Sequence, residues 1–212
     1  MEGLLWRIPQ VEAAEERALA ERCGISPVLA RILLRRGIKT AEEARAFLLA
    51  GPEQELSPWL LADMEAAVGR ILAALERGES ILVWGDYDVD GMTSAAVLSS
   101  FLRACGGRVD FFLPNRLTEG YGLQKAGLEK AAREGFGLVI AVDCGISAVP
   151  EVEYARALGL EVVICDHHSP GPLLPSAAAV VDPRRGDCPY PYKELAGVGV
   201  TFKLCQALAQ RL

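Results

Sequence analysis

Three aspartates stand on alternate residues in WGDYDVDGMTS: Asp86, Asp88 and Asp90, followed at once by Gly91. Carboxylates so closely spaced repel one another unless something positive compensates, and hard divalent cations prefer such oxygen ligands. DYDVDG fits the opening of a helix–loop–helix calcium loop. The fit fails at the twelfth position, where a bidentate glutamate should close the ion's shell and Val97 stands instead. Further along, Asp143 follows the apolar run LVIAV, and Asp166-His167-His168 follows EVVIC, with both histidines of the chain in that one triplet. Taken alone the triplet also reads as a polar turn. Beside carboxylates, however, imidazole suits Mn²⁺ better than Ca²⁺, and histidine can give a proton to a phosphate or hold charge on it. Two divalent ions about 4 Å apart can clamp the attacking and leaving oxygens of a phosphoryl displacement, which wants a bridging carboxylate and separate ligands for each ion. Asp88, Asp90, Asp143 and His167 supply most of such a set, and Asp86 is either a ligand or an acceptor that orients one.

Residues so far apart in sequence need a fold that gathers them. ILVW (81–84) is β-branched and aromatic and is predicted as a buried strand, with TSAAVLSSFLRAC as a helix beginning near Thr93. The alternation continues with strand VDFFLP (109–114), helix GLEKAAREG, strand LVIAVDC (138–144), helix VPEVEYARALG, strand LEVVICD (160–166), a fifth strand AAVVD (178–182) and a last helix from AGVGVTF onward. An amphipathic helix, LADMEAAVGRILAALERG, precedes the first strand. Strands that are apolar throughout and separated by helices predict an α/β fold, a parallel β-sheet of about five strands covered by helices on both faces. Four of the five strands end in a carboxylate, Asp86, Asp143, Asp166 or Asp182, and ligands of such sheets bind at the carboxyl ends of the strands. The second strand runs instead into LPNRLTEGYG, which offers Asn115, Arg116 and Glu119. DPRR, starting at Asp182, reads as a strand-end turn.

Residues 1–58 are predicted as a short helical N-terminal region and 59–212 as the α/β domain. VEAAEERALAERCG stops at Gly24, SPVLARILLRRG has Ser26 as N-cap with Pro27 in the first turn, and TAEEARAFLL opens on a Thr40–Glu43 capping box. GPEQELSPW reads as a linker. Arg31, Arg35, Arg36 and Lys39 read as a solvated helix surface rather than a nucleic-acid contact, and Leu29, Ile32 and Leu33 as core. A hydrophobic content of 51% in 212 residues supports a sizeable core. The net charge of −6 argues against a sequence-independent DNA coat, but not against an enzyme that sets metal ions between its own carboxylates and substrate phosphates. Six scattered cysteines without a CxxC pair argue against a disulfide framework or a thiolate zinc site and for a reduced, cytoplasmic protein. No apolar run reaches the roughly 18 residues of a membrane span, and MEGLLWRIPQ lacks the basic start of a signal peptide.

In order and spacing, GDYDVDG, LPNRLTEGYGL, VDCGIS and CDHH resemble the DHH phosphoesterase superfamily, most closely its bacterial single-strand-specific exonucleases. SPVLARILLRRGIKTAEEARAFL and DPRRGDCPYPYKELAGVGVTFKL are similar as well, so the likeness covers nearly the whole chain. The resemblance implies a nuclease dependent on two Mn²⁺ or Mg²⁺ ions, working 5′→3′ on single-stranded DNA and releasing 5′-mononucleotides in recombination and repair. It implies metal ligands at Asp86, Asp88, Asp90, Asp143 and His167 and catalytic roles for Asp166 and His168, leaving open which histidine binds metal and which acts on phosphate. Substrate contacts fall on Asn115, Arg116 and Tyr121, with Arg116 the candidate for a phosphate. Tyr87, Tyr121, Tyr190 and Tyr192 are the rings that could stack bases. Members of the superfamily continue into a further strand with one more metal-binding aspartate and a smaller closing domain, so a fragment with weak activity of its own is expected. A DHH phosphoesterase acting on short oligonucleotides or cyclic dinucleotides, and a non-catalytic fragment, are the alternatives. A receiver-like phospho-acceptor would need a lysine after a late strand, and Lys193 and Lys203 are poorly placed for it.

Overall fold

The computed structural model of the protein describes residues 10–49, 51 and 55–212. The start of the chain, read above as free of a signal peptide, and the middle of the GPEQELSPW linker lie outside the described residues. The chain forms two compact units, Met1–Glu55 and Leu56–Leu212.

In the first unit, helices α1 (Ala13–Cys23), α2 (Pro27–Arg35) and α3 (Ala41–Leu48) pack around Leu19, Ala20, Ala30, Leu33 and Ala44. Their ends follow local chemistry. Gly24 closes α1 in the left-handed region at φ 65°, the Ser26 hydroxyl accepts from the Leu29 N–H, and Thr40 and Glu43 make the reciprocal capping box. Ile32 does not join the core as expected but stays 46% exposed, while Leu33 is buried. Adjacent helical residues point about 100° apart, so the narrow face of α2 takes only one of them. Arg31 is not simply solvated: its guanidinium grips the Glu16 carboxylate at 2.5 and 3.0 Å.

The second unit begins with a 3₁₀ turn at Pro58–Leu60 and helix α4 (Met64–Arg77), then alternates strands and helices. The strands are β1 (Ser80–Trp84), β2 (Arg108–Phe112), β3 (Leu138–Val142), β4 (Glu161–Cys165) and β5 (Ala179–Val181). The helices are α5 (Val89–Ala104), α6 (Lys125–Arg133), α7 (Val149–Ala157) and α8 (Gly197–Ala209). All four strand pairings are parallel, in the order β2-β1-β3-β4-β5. Period-two alternation divides the strand residues between two cores. Ile81, Val83, Ile140 and Val163 face α4, α5 and α8; Leu82, Trp84, Val139, Ala141 and Ile164 face α6 and α7. The α/β architecture is therefore the expected one.

Two details depart from expectation. Helix α5 starts at Val89, four residues before Thr93, because the Asp88 side chain caps it by accepting from the Asp90 and Gly91 N–H groups. Strand β2 packs Val109 into one core and Phe112 into the other, but its cover is incomplete. It is a sheet edge on which Phe111 stays 49% exposed, with the Arg103 guanidinium 5.9 Å above its ring. Successive connections leave β1 first toward β2 and then toward β3, so the order reverses at β1, and the crevice there is where a sheet of this kind binds ligands. Among the described residues no helix is long and apolar enough to cross a membrane. All six cysteines are free.

Candidate metal centre

The loop after β1 is packed closely against a glycine. Asp86 lies 3% exposed behind Trp84, and Gly91, in the first turn of α5, passes against its backbone. A Cβ at position 91 would stand 2.4 Å from the Asp86 nitrogen and 2.6 Å from its Cα and carbonyl oxygen, so only glycine fits. With Oδ1 of Asp88 committed to the cap of α5, the Asp88 carboxylate is fixed in direction while remaining exposed. Asp90 reaches across to α8 and takes the N–H groups of Gly197 and Val198, both at 2.7 Å. A carboxylate at a helix N-terminus is favourable there, and this contact ties α5 to the opposite end of the sequence.

Strand β3 ends at Val142, and its successor Asp143 turns into the left-handed region at φ 59°, which a non-glycine residue adopts only where the surroundings enforce it. The Asp143 N–H continues the ladder to the Cys165 carbonyl at 2.9 Å. Gly197 presses on the side chain: a Cβ there would come within 2.4 Å of Asp143 Oδ1. After β4, Asp166 organises the next loop. Its Oδ1 accepts from the N–H groups of His167 at 2.7 Å and His168 at 3.2 Å and meets His168 Nδ1 at 2.7 Å, while Oδ2 takes the Ile146 N–H at 2.9 Å. His167 is thereby turned toward the cup, with Nε2 3.1 Å from Asp143 Oδ1 and 3.6 Å from Asp90 Oδ2.

Two constellations result, each with donor atoms within 4.8 Å of one another: Asp86, Asp88 and Asp143, and Asp143, His167 and His168. Asp143 belongs to both. The close Asp143 Oδ1–His167 approach makes no hydrogen bond, and Oδ1 of Asp143 and Oδ1 of Asp86 are buried without a partner. Burial, reinforced by Asp90, Asp88 and Asp166, pushes the Asp143 carboxyl up to about 8. Burial raises Asp86 as well. Burial works in the same direction on Asp166, but the His168 ring and the Ile146 and His167 N–H groups outweigh it and hold that carboxyl low. The reciprocal effect, a hydrogen bond to Asp166, lifts His168 to about 8.

Around this cup the remaining candidates separate. The Arg116 guanidinium lies 5.2 Å from the Tyr87 ring, Tyr87 meets Tyr121 edge-on at 6.3 Å, and Tyr121 meets His168 edge-on at 6.1 Å. The Tyr121 hydroxyl donates to the Asp143 carbonyl at 3.4 Å. Asn115 is spent locally, its Oδ1 accepting from Leu117 N–H and its own N–H donating to Glu119. Tyr190 is fully buried in the core and Tyr192 is exposed. Lys193 and Lys203 donate to the Cys188 and Leu56 carbonyls. In the sequence Gly91 reads only as the close of DYDVDG, and neither Gly197 nor the second oxygen of Asp182 stands out. Oδ1 of Asp182 does close the DPRR turn onto Arg184 N–H at 2.6 Å, but Oδ2 is buried without a partner, and burial lifts this carboxyl to about 7. The AGVG run at 196–199 is the one sequence signal that could have marked Gly197 as a place of close backbone approach.

Residues 80–212 match the DHH family, N-terminal domain. The single-stranded-DNA-specific exonuclease RecJ of Bacillus subtilis (strain 168) is 43% identical over 207 residues, 98% of this chain and 26% of that protein. The crystal structure of exonuclease RecJ bound to manganese is similar with a TM-score of 0.68 and 36% identity, over 74% of this chain and 40% of that one. RecJ from Thermus thermophilus in complex with Mn²⁺ is similar with a TM-score of 0.70 and 30% identity, over 93% of this chain and 27% of that one. The chain spans about a quarter to a third of the length of the curated relatives it matches.

Proposed function

The chain belongs to the DHH family, and from that membership we propose that it carries the phosphodiester-cleaving centre of a metal-dependent exonuclease acting 5′→3′ on single-stranded DNA. The observation that supports this most is Asp143, a strained, buried carboxyl group shared by two donor sets and left with one oxygen that has no hydrogen-bond partner. The donors fit two hard or borderline divalent ions, Mn²⁺ or Mg²⁺: Asp86, Asp88 and Asp143 on one side, Asp143 with His167 on the other, and Asp90 beside them. Bound there, such ions lower the pKa of water and neutralise charge on phosphoryl oxygens.

The chain's own groups do the rest. Asp166 holds the His168 ring by Nδ1, so that Nε2 is left for substrate. In the cleavage, water oxygen bonds to phosphorus, the bond from phosphorus to the 3′ oxygen of the terminal nucleotide breaks, and that oxygen takes a proton for which His168 is the donor. Arg116, steadied over Tyr87, meets a substrate phosphate. The backbone turn at Asp143 and the close packing at Gly91 and Gly197 hold the carboxylates together against their mutual repulsion. The resulting negative cup repels DNA until the cations are in place, which is how a chain of net charge −6 can take a polyanion.

The test is a Mn²⁺ titration followed by electron paramagnetic resonance, on the wild type and Asp143→Ala, with hydrolysis of 5′-labelled single strands, duplexes and pyrophosphate alongside. Two bound ions per chain, both weakened by Asp143→Ala, are expected, with mononucleotide release weak and confined to single strands. Unchanged Mn²⁺ binding in Asp143→Ala would show that Asp143 is not shared between two ions.

A further inference from the structure

The connection from β2 to α6, residues 113–124, carries Arg116 and Tyr121 to the rim of the cup. Its tip is closed on itself, the Thr118 and Glu119 N–H groups donating to the Asn115 carbonyl at 3.1 and 2.8 Å. Trp84, the last residue of β1 and fully buried, meets both ends of this connection. At its start, Trp84 pairs in register with Phe112, and the two rings lie 4.4 Å apart. At its finish, the indole N–H donates to the Gly122 carbonyl at 3.2 Å. Gly122 stands at φ 75°, so this bond fixes the carbonyl of a residue with unusual backbone freedom. Just beyond, the indole presses on Gly127 in α6, where a Cβ would come within 2.2 Å of the ring. The chain then runs from Trp84 through Gly85 into Asp86, Tyr87 and Asp88. One rigid side chain thus spans the strand that bears the acids and the connection that bears Arg116 and Tyr121.

We propose that Trp84 is a positioning residue, setting the connection that carries Arg116 and Tyr121 at a fixed distance from the metal ligands. The inference rests on the exonuclease reading and adds to it a residue that, being fully buried, touches neither ion nor substrate. A ring needed only to fill the core would not require α6 to give up a side chain at 127, nor an N–H aimed at a loop carbonyl. Moving the connection away from the acids breaks that hydrogen bond and opens the packing against Phe112 and Gly127 together. Placement of this kind matters because phosphoryl transfer depends on holding substrate and catalytic groups in one geometry, and a misplacement of about 1 Å is enough to cost a large factor in rate.

Trp84→Phe removes the donor while keeping an aromatic ring between Phe112 and Gly127. Its affinity for a 5′-phosphorylated single strand with phosphorothioate linkages, which resist cleavage, is read by fluorescence anisotropy in Mn²⁺. The strand should be held about fivefold more weakly, the size of one lost hydrogen bond, with the Mn²⁺ titration by electron paramagnetic resonance unchanged. In an Arg116→Ala/Tyr121→Ala background, which lacks the two side chains the connection presents, Trp84→Phe should weaken the strand no further. A general loss of stability would not produce that coupling. Benzothienylalanine at position 84 keeps the shape of the indole with sulfur in place of the N–H; it should act as Trp84→Phe does, and it decides the matter should that variant fail to fold. Unchanged affinity would overturn the role, as would an equal loss in the Arg116→Ala/Tyr121→Ala background or a matching loss of Mn²⁺ binding. In each of those cases the exonuclease reading stands. A wild type that binds Mn²⁺ but no single strand would overturn that reading and the role of Trp84 with it.

Discussion

Replacing Asp143 by asparagine should make the metal-free protein more stable and the metal-loaded protein less so. Asp143 is 2% exposed, and its carboxyl titrates at about 8 rather than at 3.8 because burial and three neighbouring aspartates penalise the charge. The sign follows from proton linkage. Between those two values the unfolded chain has lost the proton and the folded chain retains it, so stability falls as pH rises and stops falling above about 8. At 1.36 kcal/mol per pH unit the full penalty is at most about 6 kcal/mol, of which about 4 kcal/mol develops between pH 5 and pH 8. Asparagine removes the charge, keeps the shape that Gly197 packs against, and tolerates φ 59° better than most residues. Its own buried amide, imperfectly paired, costs about 1–3 kcal/mol. The net expectation in EDTA at pH 8 is a gain of about 2–4 kcal/mol, shrinking to about zero at pH 5.

Urea unfolding at pH 5, 6.5 and 8, followed by tryptophan fluorescence, measures this, since Trp84 is fully buried in the sheet unit. The variant's pH profile should be flatter than the wild type's but not flat. His168, lifted to about 8 by Asp166, contributes stability that is complete below 6.5 and is lost through about 8, and Asp182, lifted to about 7, adds a loss of the same sign. Mn²⁺ at a hundred times its dissociation constant should then stabilise the wild type by about 2.7 kcal/mol for each bound ion and the variant by far less. A variant that is less stable than the wild type in EDTA at pH 8, or that gains as much from Mn²⁺, would refute the claim that Asp143 is a destabilised charge waiting for a cation.

Asp88 separates capping from metal binding: Asp88→Asn retains an N-cap for α5 and should lose only the Mn²⁺-dependent gain, whereas Asp88→Ala should also cost about 1 kcal/mol in EDTA, both read from urea midpoints. Asp166→Asn removes the anion that lifts His168, so an NMR titration should move that ring from about 8 down toward 6.5; an unmoved midpoint would show the lift to come from elsewhere. Gly91→Ala drives a methyl into the Asp86 backbone and should cost about 1–3 kcal/mol in EDTA even though alanine is the better helix former. A stabilised Gly91→Ala protein would mean that the loop has room the contacts deny.

The strands and their terminal carboxylates are legible because a parallel strand is buried on both faces, so the first charged residue after an apolar run marks the edge of the sheet. Where that edge folds together is another matter. Asp90 is held by backbone N–H groups 107 and 108 residues further on, and Asp143 is pinned by a glycine of the same α8, contacts that no local pattern encodes. Gly91 shows how a local signal misleads. It completes the DxDxDG spelling of a calcium loop, yet its necessity comes from the Asp86 backbone it passes, and the same aspartate-rich turn becomes a helix cap. Asp182 is half legible for a similar reason: the turn that DPRR announces occupies one oxygen, and the burial of the other without a partner arises only in the folded chain. Each of these aspartates has one oxygen or one backbone group engaged in the fold's own hydrogen bonds, while burial and neighbouring acids penalise the ionised forms of Asp86, Asp143 and Asp182. The scaffold therefore settles where the acids stand, and the uncompensated charge that remains decides what the centre can bind. A neutral ligand would relieve none of the repulsion among Asp86, Asp88 and Asp143, and a monovalent ion would relieve too little of it. For the proposed nuclease centre, a divalent requirement would thus follow from the cup's own electrostatics as much as from the identity of its donors.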